Sequence, residues 1–294
     1  MHAKAASSAA DVVMLDLEDS VPVDAKKDAR RQVIGSLQKM AWGKKVLMFR
    51  CNALDTPFGY RDLLEVLEGA GDRIDAVVIP KVDHPGDIHF VHRLMAGIEM
   101  RIEGRRPVGI EASVETARGL ARIQEIAAAS DRLVSLVFGI ADYQASIGAR
   151  LMSVSGHGEA EDAVYPGHRW NFVMSRLVMA AKSRGLLAID APYGNFQDPK
   201  GLEKWASVAA ALGFDGKWAI HPEQVEAINA VFSPSTEEVE RARTILDAFD
   251  AAAAQGRGAV AVDGRMVDGA TVRLARRTWE IALRLGLASE QKGR

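Results

Sequence analysis

The chain alternates between two hydrophobic patterns. Short apolar runs rich in β-branched residues occur at 11–17, 46–50, 76–79, 108–114, 133–140, 186–189 and 217–220. Between successive runs lie stretches of helical periodicity, among them 25–37, 60–67, 88–98, 116–129 and 169–182. This alternation predicts a parallel sheet with crossover helices. Each strand leads into a polar or Gly/Pro-bearing end, so the pattern fits an α/β barrel of the TIM (β/α)8 type lacking its first strand better than an open doubly wound sheet. The segment 4–10 fits the helix that would follow that strand. Beyond 220 the pattern changes. Segments 222–232 and 235–253 read as helices, the latter with Ser235 as N-cap before an acidic first turn. Glycines then break the helix, a hairpin is permitted around Asp263-Gly264, and a final helix is expected near 270–285. The expected division is a catalytic barrel domain over 1–232 and a C-terminal helical extension with a lid over 233–294.

Composition narrows the class. A chain of 294 residues, 48% hydrophobic and 26% charged, can bury a core large enough for one barrel and a tail. The formal net charge of -2 gives no global pull toward nucleic acid or an anionic membrane, which favours small-molecule partners. The single cysteine, Cys51, excludes an internal disulfide framework, and no apolar run approaches the ~20 residues of a membrane span. The first residues lack a charged start followed by a long apolar stretch, so the expected location is cytoplasmic. No repeat at a fixed period and no dedicated linker is present.

Candidate chemistry gathers where strands end. Glu115 in "GIEASVET" and Asp142 in "FGIADYQAS" each follow an apolar run one βα unit apart. Two carboxylates at one barrel mouth suit a hard cation such as Mg2+, which keeps several waters and takes one or two protein carboxylates. Separate rim salt bridges are the alternative. Gly139 and Ala141 leave room for a ligand to approach. Asp16, Glu18 and Asp19 crowd three negative charges after the first strand and demand a compensating cation. Arg50 closes the second strand, before Asn52, Asp55 and Thr56. Its permanently charged fork suits a carboxylate or a developing oxyanion, and equally the acids of the first segment. Lys81 ends the third strand, and an imine role for it would need burial and a depressed pKa. His89 and His92 are three apart on a helix, near His84, without a carboxylate at ligand spacing. Cys51 reads as a small strand residue. His221, before Pro222, either meets an anionic ligand or caps a turn.

Six ordered segments carry a resemblance: "AADVVMLDLEDSVP", "FRCNALDTPFGYRD", "VVIPKV", "VETARGLARIQEIAAAS", "FGIADYQASIG" and "DGKWAIHPEQV". Together they resemble the HpcH/HpaI aldolase and citrate lyase β-subunit superfamily, nearest its malyl-CoA lyase branch. The resemblance implies a (β/α)8 barrel with a C-terminal extension and Mg2+-assisted, reversible Claisen-type cleavage of a 3-hydroxyacyl-CoA. Mn2+ is the alternative ion, and a CoA thioester is the substrate. It further implies Glu115 and Asp142 as the metal ligands and Arg50 as the group that stabilises the thioester enolate. Asp268 in "GRMVDGA", with Asp263 five residues away, is the implied acid/base group that a lid delivers to a neighbouring subunit of a homotrimer or hexamer. Ile140, Ala141, Lys217 and His221 are the implied substrate- or cofactor-binding positions beside Arg50, with Asp16, Glu18, Asp19 and Lys81 as supporting rim. The partners are an acyl-CoA and a glyoxylate-like oxo acid, with no nucleic acid and no membrane. Alternatives within the family are citryl-CoA or citramalyl-CoA cleavage and malyl-CoA thioester hydrolysis. A silent CoA-binding subunit and a phosphoenolpyruvate-type barrel are the alternatives outside it. The family pattern has a strand and a basic residue ahead of "KAASSAADVV", so the expectation is a whole metal site within an incomplete substrate site.

Overall fold

A computed structural model describes residues 1–101, 106–150 and 169–289. The chain divides into two compact units, Met1–Ile228 and Asn229–Arg294.

The first unit opens with helix α1 (His2–Ser7) and strand β1 (Val12–Asp16). Helix α2 (Lys26–Lys39), β2 (Val46–Arg50), α3 (Gly59–Ala70), β3 (Ala76–Ile79), α4 (Pro85–Glu99) and β4 (Gly109–Val114) follow. Two short helices, α5 (Ala117–Ala121) and α6 (Ile123–Ala127), replace the single helix expected over 116–129. The break falls at Arg122, whose N–H is shared among three carbonyls, from Arg118 to Leu120. Then come β5 (Leu133–Phe138), α7 (Ile140–Ser146), α8 (Asn171–Lys182), β6 (Leu187–Asp190), α9 (Pro199–Leu212) and β7 (Gly216–Lys217).

The seven strands form one parallel sheet in sequence order. Alternation along each strand sends one set of side chains to the helices and the other to the inner face. Val13, Leu15, Leu47, Phe49, Val77 and Ile79 are buried on the helix side. There they meet stripes such as Leu63, Val66, Leu67 and Ala70 of α3 and Ile88, Val91, Met95 and Ile98 of α4, at the 3–4 residue spacing of one helix face. On the inner face Met48, Ala76 and Val78 cluster with Met14 of β1 and Trp218, one residue past β7. The first and last strands thus reach one inner cluster, so the sheet is curled into a half-barrel.

Register places polar residues side by side: Asp16 beside Arg50, Glu111 beside Ser135, and Asp190 beside Lys217. Two strands end earlier than the apolar runs suggest. The fifth stops at Phe138 because Gly139 turns the chain into α7, so Asp142 lies in the first turn of that helix and not at a strand end. The seventh is two residues long, and Ile220 is exposed. Beyond Trp218 the Gln224 side chain, accepting from the Ile220 and His221 N–H groups at 2.9 and 3.2 Å, takes over from the strand ladder.

Helix α10 (Gln224–Phe232) leads onward to the second unit. That unit holds α11 (Thr236–Ala253), the antiparallel pair β8 (Val260–Val262) and β9 (Arg265–Val267), and α12 (Gly269–Arg284). Ser235 and Glu238 form a capping box on α11. Asp263 and Gly264, both at positive φ, make the two-residue turn of the hairpin. No helix among the described residues is long and apolar enough to cross a membrane.

Candidate active site

The ends of β1, β2 and β3 build a continuous charge network. Register sets Asp16 against Arg50, and the guanidinium grips it with two bonds, Nε to Oδ1 and Nη2 to Oδ2, both 2.7 Å. Nη1 lies 2.8 Å from Glu18 Oε2. Burial works against ionising Asp16, but the bonds and charge of Arg50 outweigh it and hold the carboxyl at about 2. Glu18 sits on a loop fixed from below by the buried Lys26, whose ammonium donates to the carbonyls of Leu17 and Glu18 at 2.9 and 2.8 Å. The loop after β2 is fixed by Asp62, which accepts from the backbone and side chain of Asn52 and is paired with Arg30 at 2.8 Å.

Lys81 links this network to the acid pair. Its ammonium meets Glu18 Oε1 at 2.5 Å, Asp19 Oδ2 at 3.1 Å and Asp142 Oδ1 at 3.6 Å. Its backbone N–H donates to Glu115 Oε1 at 2.7 Å. Lys81 makes these contacts at a φ of 52°, a left-handed conformation that costs a non-glycine residue energy. Burial alone would lower the Lys81 pKa, yet the bond to Glu18 and the surrounding carboxylates raise it. An imine role would call for a depressed pKa, and this shift runs the other way.

Glu115 is 3% exposed. Burial, then the charge of Asp142, pushes its carboxyl up to about 7. A buried carboxylate that a second acid opposes needs a cation, and the hard oxygen donors of Glu115 and Asp142 suit Mg2+. Gly139 supplies the room, since a Cβ there would stand 2.0 Å from Glu115 Oε2. A donor set of two carboxylates suits an ion that keeps waters and a chelating substrate rather than a closed zinc site.

Other expected positions fall elsewhere. Ile140 is buried and Ala141 exposed in the first turn of α7, flanking Asp142. Lys217 corrects an expectation: its side chain has no exposed surface, and its ammonium is bonded to Asp190 Oδ2 at 2.5 Å and the Ala191 carbonyl at 2.6 Å. It ties two strand ends together instead of reaching a ligand. His221 stacks on Phe196 with ring centres 5.1 Å apart and accepts from the Glu223 N–H at 3.4 Å, which is the capping role. Asp268 belongs to the second unit, where its Oδ1 caps α12 by accepting from Ala270 and Thr271 N–H. His84 caps α4, and His92 bonds Ser130 at 2.7 Å. Cys51 is buried, which pushes its thiol up and leaves it inert. Sequence reasoning missed Lys26, Glu111 and Trp218. Only the inward phase of β4 marked Glu111, and nothing in the pattern marked the other two.

A curled parallel α/β sheet with a charged rim at the C-terminal ends of its strands defines an enzyme of the barrel class, where chemistry sits at that face. The chain belongs to the HpcH/HpaI aldolase/citrate lyase family, whose model matches residues 1–222. It is 45% identical over 278 residues to the L-malyl-CoA/β-methylmalyl-CoA lyase of Cereibacter sphaeroides, covering 92% of this chain and 87% of that one. The malyl-CoA/β-methylmalyl-CoA/citramalyl-CoA lyase of Chloroflexus aurantiacus is 35% identical, covering 90% of this chain and 79% of that one. Among solved structures, the CitE protein of Mycobacterium tuberculosis in complex with magnesium, acetoacetate and coenzyme A superposes with a TM-score of 0.75 at 33% identity, covering 95% of this chain and 92% of that one.

Proposed function

We propose that the protein is a Mg2+-dependent acyl-CoA lyase that reversibly cleaves L-malyl-CoA, or β-methylmalyl-CoA, to glyoxylate and acetyl-CoA or propionyl-CoA. The observation that carries this reading is the buried Glu115, facing Asp142 and sharing one charge network with Arg50 through Lys81. Relatives at 43–45% identity named for this reaction support it, as does the magnesium and coenzyme A complex of the M. tuberculosis protein. The seven strands are read as seven of the eight of a (β/α)8 barrel over 1–232, with 233–294 as its C-terminal extension.

Glu115 and Asp142 are the proposed metal ligands, and Mg2+, when bound, supplies Lewis acidity that makes the substrate hydroxyl easier to deprotonate. A base takes the hydroxyl proton, the glyoxylate carbonyl forms as the carbon–carbon bond breaks, and the bond's electron pair passes into the thioester and gathers on its carbonyl oxygen. Arg50 receives that charge. Asp16 takes two of its five N–H groups, on Nε and Nη2, and Glu18 Oε2 lies 2.8 Å from Nη1 as an ion pair, so both terminal nitrogens keep a hydrogen for the oxygen. A proton then reaches the enolate carbon. Asp268 is the proposed source, delivered to a neighbouring subunit of a homotrimer or hexamer, and its position directly after the β8–β9 hairpin suits a lid.

The test follows glyoxylate and free thiol separately with malyl-CoA and Mg2+. Glyoxylate without thiol is expected, thiol without glyoxylate would mean thioester hydrolysis, and neither product would overturn the reading. Arg50→Ala is expected to lose roughly 3 kcal/mol of transition-state stabilisation, about a hundredfold in turnover, with Mg2+ affinity unchanged. Undiminished turnover would remove Arg50 from the mechanism.

A further inference from the structure

Arg50 is held from three directions. Asp16 and Glu18 take its edges, and its Cζ lies 5.8 Å from the centre of the Trp218 ring. Trp218 reaches it from the far margin of the sheet, its backbone N–H extending the ladder to the Asp190 carbonyl at 3.0 Å. The ring packs on Met14 and the Met48, Ala76 and Val78 cluster, a surface that leucine would also cover. Tryptophan adds a flat face and one N–H. On the inner face of β4, Glu111 Oε2 accepts a bond from Ser135 Oγ at 2.6 Å, while its Oε1 has no hydrogen-bond partner. Glu111 is 4% exposed. A carboxyl in a half-barrel interior is costly, and an apolar residue at this inward position would serve the fold better.

We propose that Trp218 is a positioning residue for Arg50. The proposal rests on Arg50 being the enolate-binding group of the lyase reading. Two carboxylates hold the edges of the guanidinium but leave it able to rock out of its plane. A ring face against the cation opposes that motion, and the attraction between cation and ring is stronger where water is excluded. Donors that stabilise developing charge act only when already in place, so a rocking Arg50 would still pair with its acids yet lose rate.

The experiment has two readouts on the full-length protein. The first is hydrogen exchange of the Arg50 Nε–H in arginine-labelled protein, its signal identified by its loss in Arg50→Lys. Trp218→Leu is expected to speed exchange about tenfold. Where Trp218→Leu fails to fold, Trp218→Met, which likewise lacks a ring, replaces it. Unaltered exchange in a folded Trp218 variant overturns the proposal. The second readout is kcat with malyl-CoA. Trp218→Leu is expected to lower it by up to about a hundredfold with Mg2+ affinity unchanged. That loss disappears when the same change is made in Arg50→Ala, and an equal loss in both backgrounds overturns the proposal. A wild-type protein that releases no glyoxylate sinks the lyase reading, while the exchange readout still decides the role of Trp218.

Discussion

Gly139 governs the acid pair through what it lacks. Its φ of -94° is open to any residue, so the cost of a side chain there is steric alone. A Cβ would stand 2.0 Å from Glu115 Oε2 and 2.6 Å from Glu115 Cβ. Gly139→Ala is therefore expected to push Glu115 aside and weaken Mg2+ binding at least about tenfold, at a stability cost of about 1–3 kcal/mol. Calorimetric Mg2+ titration beside a thermal melt checks both, and unchanged affinity would detach Gly139 from the site. At this scale the sequence is informative about which acids and bases end strands, and silent about whom they meet. Asp16, Glu18, Arg50 and Lys81 are legible as rim charges because each follows an apolar run. The left-handed backbone of Lys81 and the burial of the Lys217 ammonium follow from three-dimensional neighbours, Glu115 and Asp190, which no local pattern encodes.

Strand β4 shows how one element serves the core and the site together. Period two places Glu111 and Ser113 on its inner face, with Glu115 next in phase just past the strand end. Burial pushes the Glu111 carboxyl up to about 7, against the bond from Ser135. Between its ordinary value near 4.5 and about 7, the unfolded chain has lost this proton while the folded chain keeps it. The folded state then binds more protons, so its stability falls as pH rises through that window and levels off above it. The full effect is about 3 kcal/mol. Glu111→Gln removes it, so urea denaturation at pH 5 and pH 8 should show the variant gaining on the wild type at the higher pH. A constant gap would mean that Glu111 is ionised throughout. Most strands were readable because apolar runs between helical stretches survive any detail of packing. The short seventh strand and the break at Arg122 were not readable, since side-chain caps and shared carbonyls decide them, and both depend on tertiary contacts.

At the scale of the whole molecule the charge is close to balanced, with a formal net of -2. The rim is not balanced. Asp16, Glu18, Asp19, Glu115 and Asp142 face only Arg50 and Lys81 in the network, so it carries more negative than positive charge when all are ionised. Folding thus concentrates like charge at one end of the sheet and leaves the deficit beside Glu115 and Asp142, where the C-terminal strand ends meet. A ligand that binds only the folded state returns stability in proportion to its saturation, about 2.7 kcal/mol at a hundredfold excess over its Kd. For a chain of 294 residues that corresponds to a rise in Tm of roughly 4–5 °C. Saturating Mg2+ should produce such a rise in the wild type and in Arg50→Ala, and none in Asp142→Asn or Glu115→Gln. Equal rises in all four would place the ion elsewhere on the molecule, and the acid pair would then owe its burial to the fold alone.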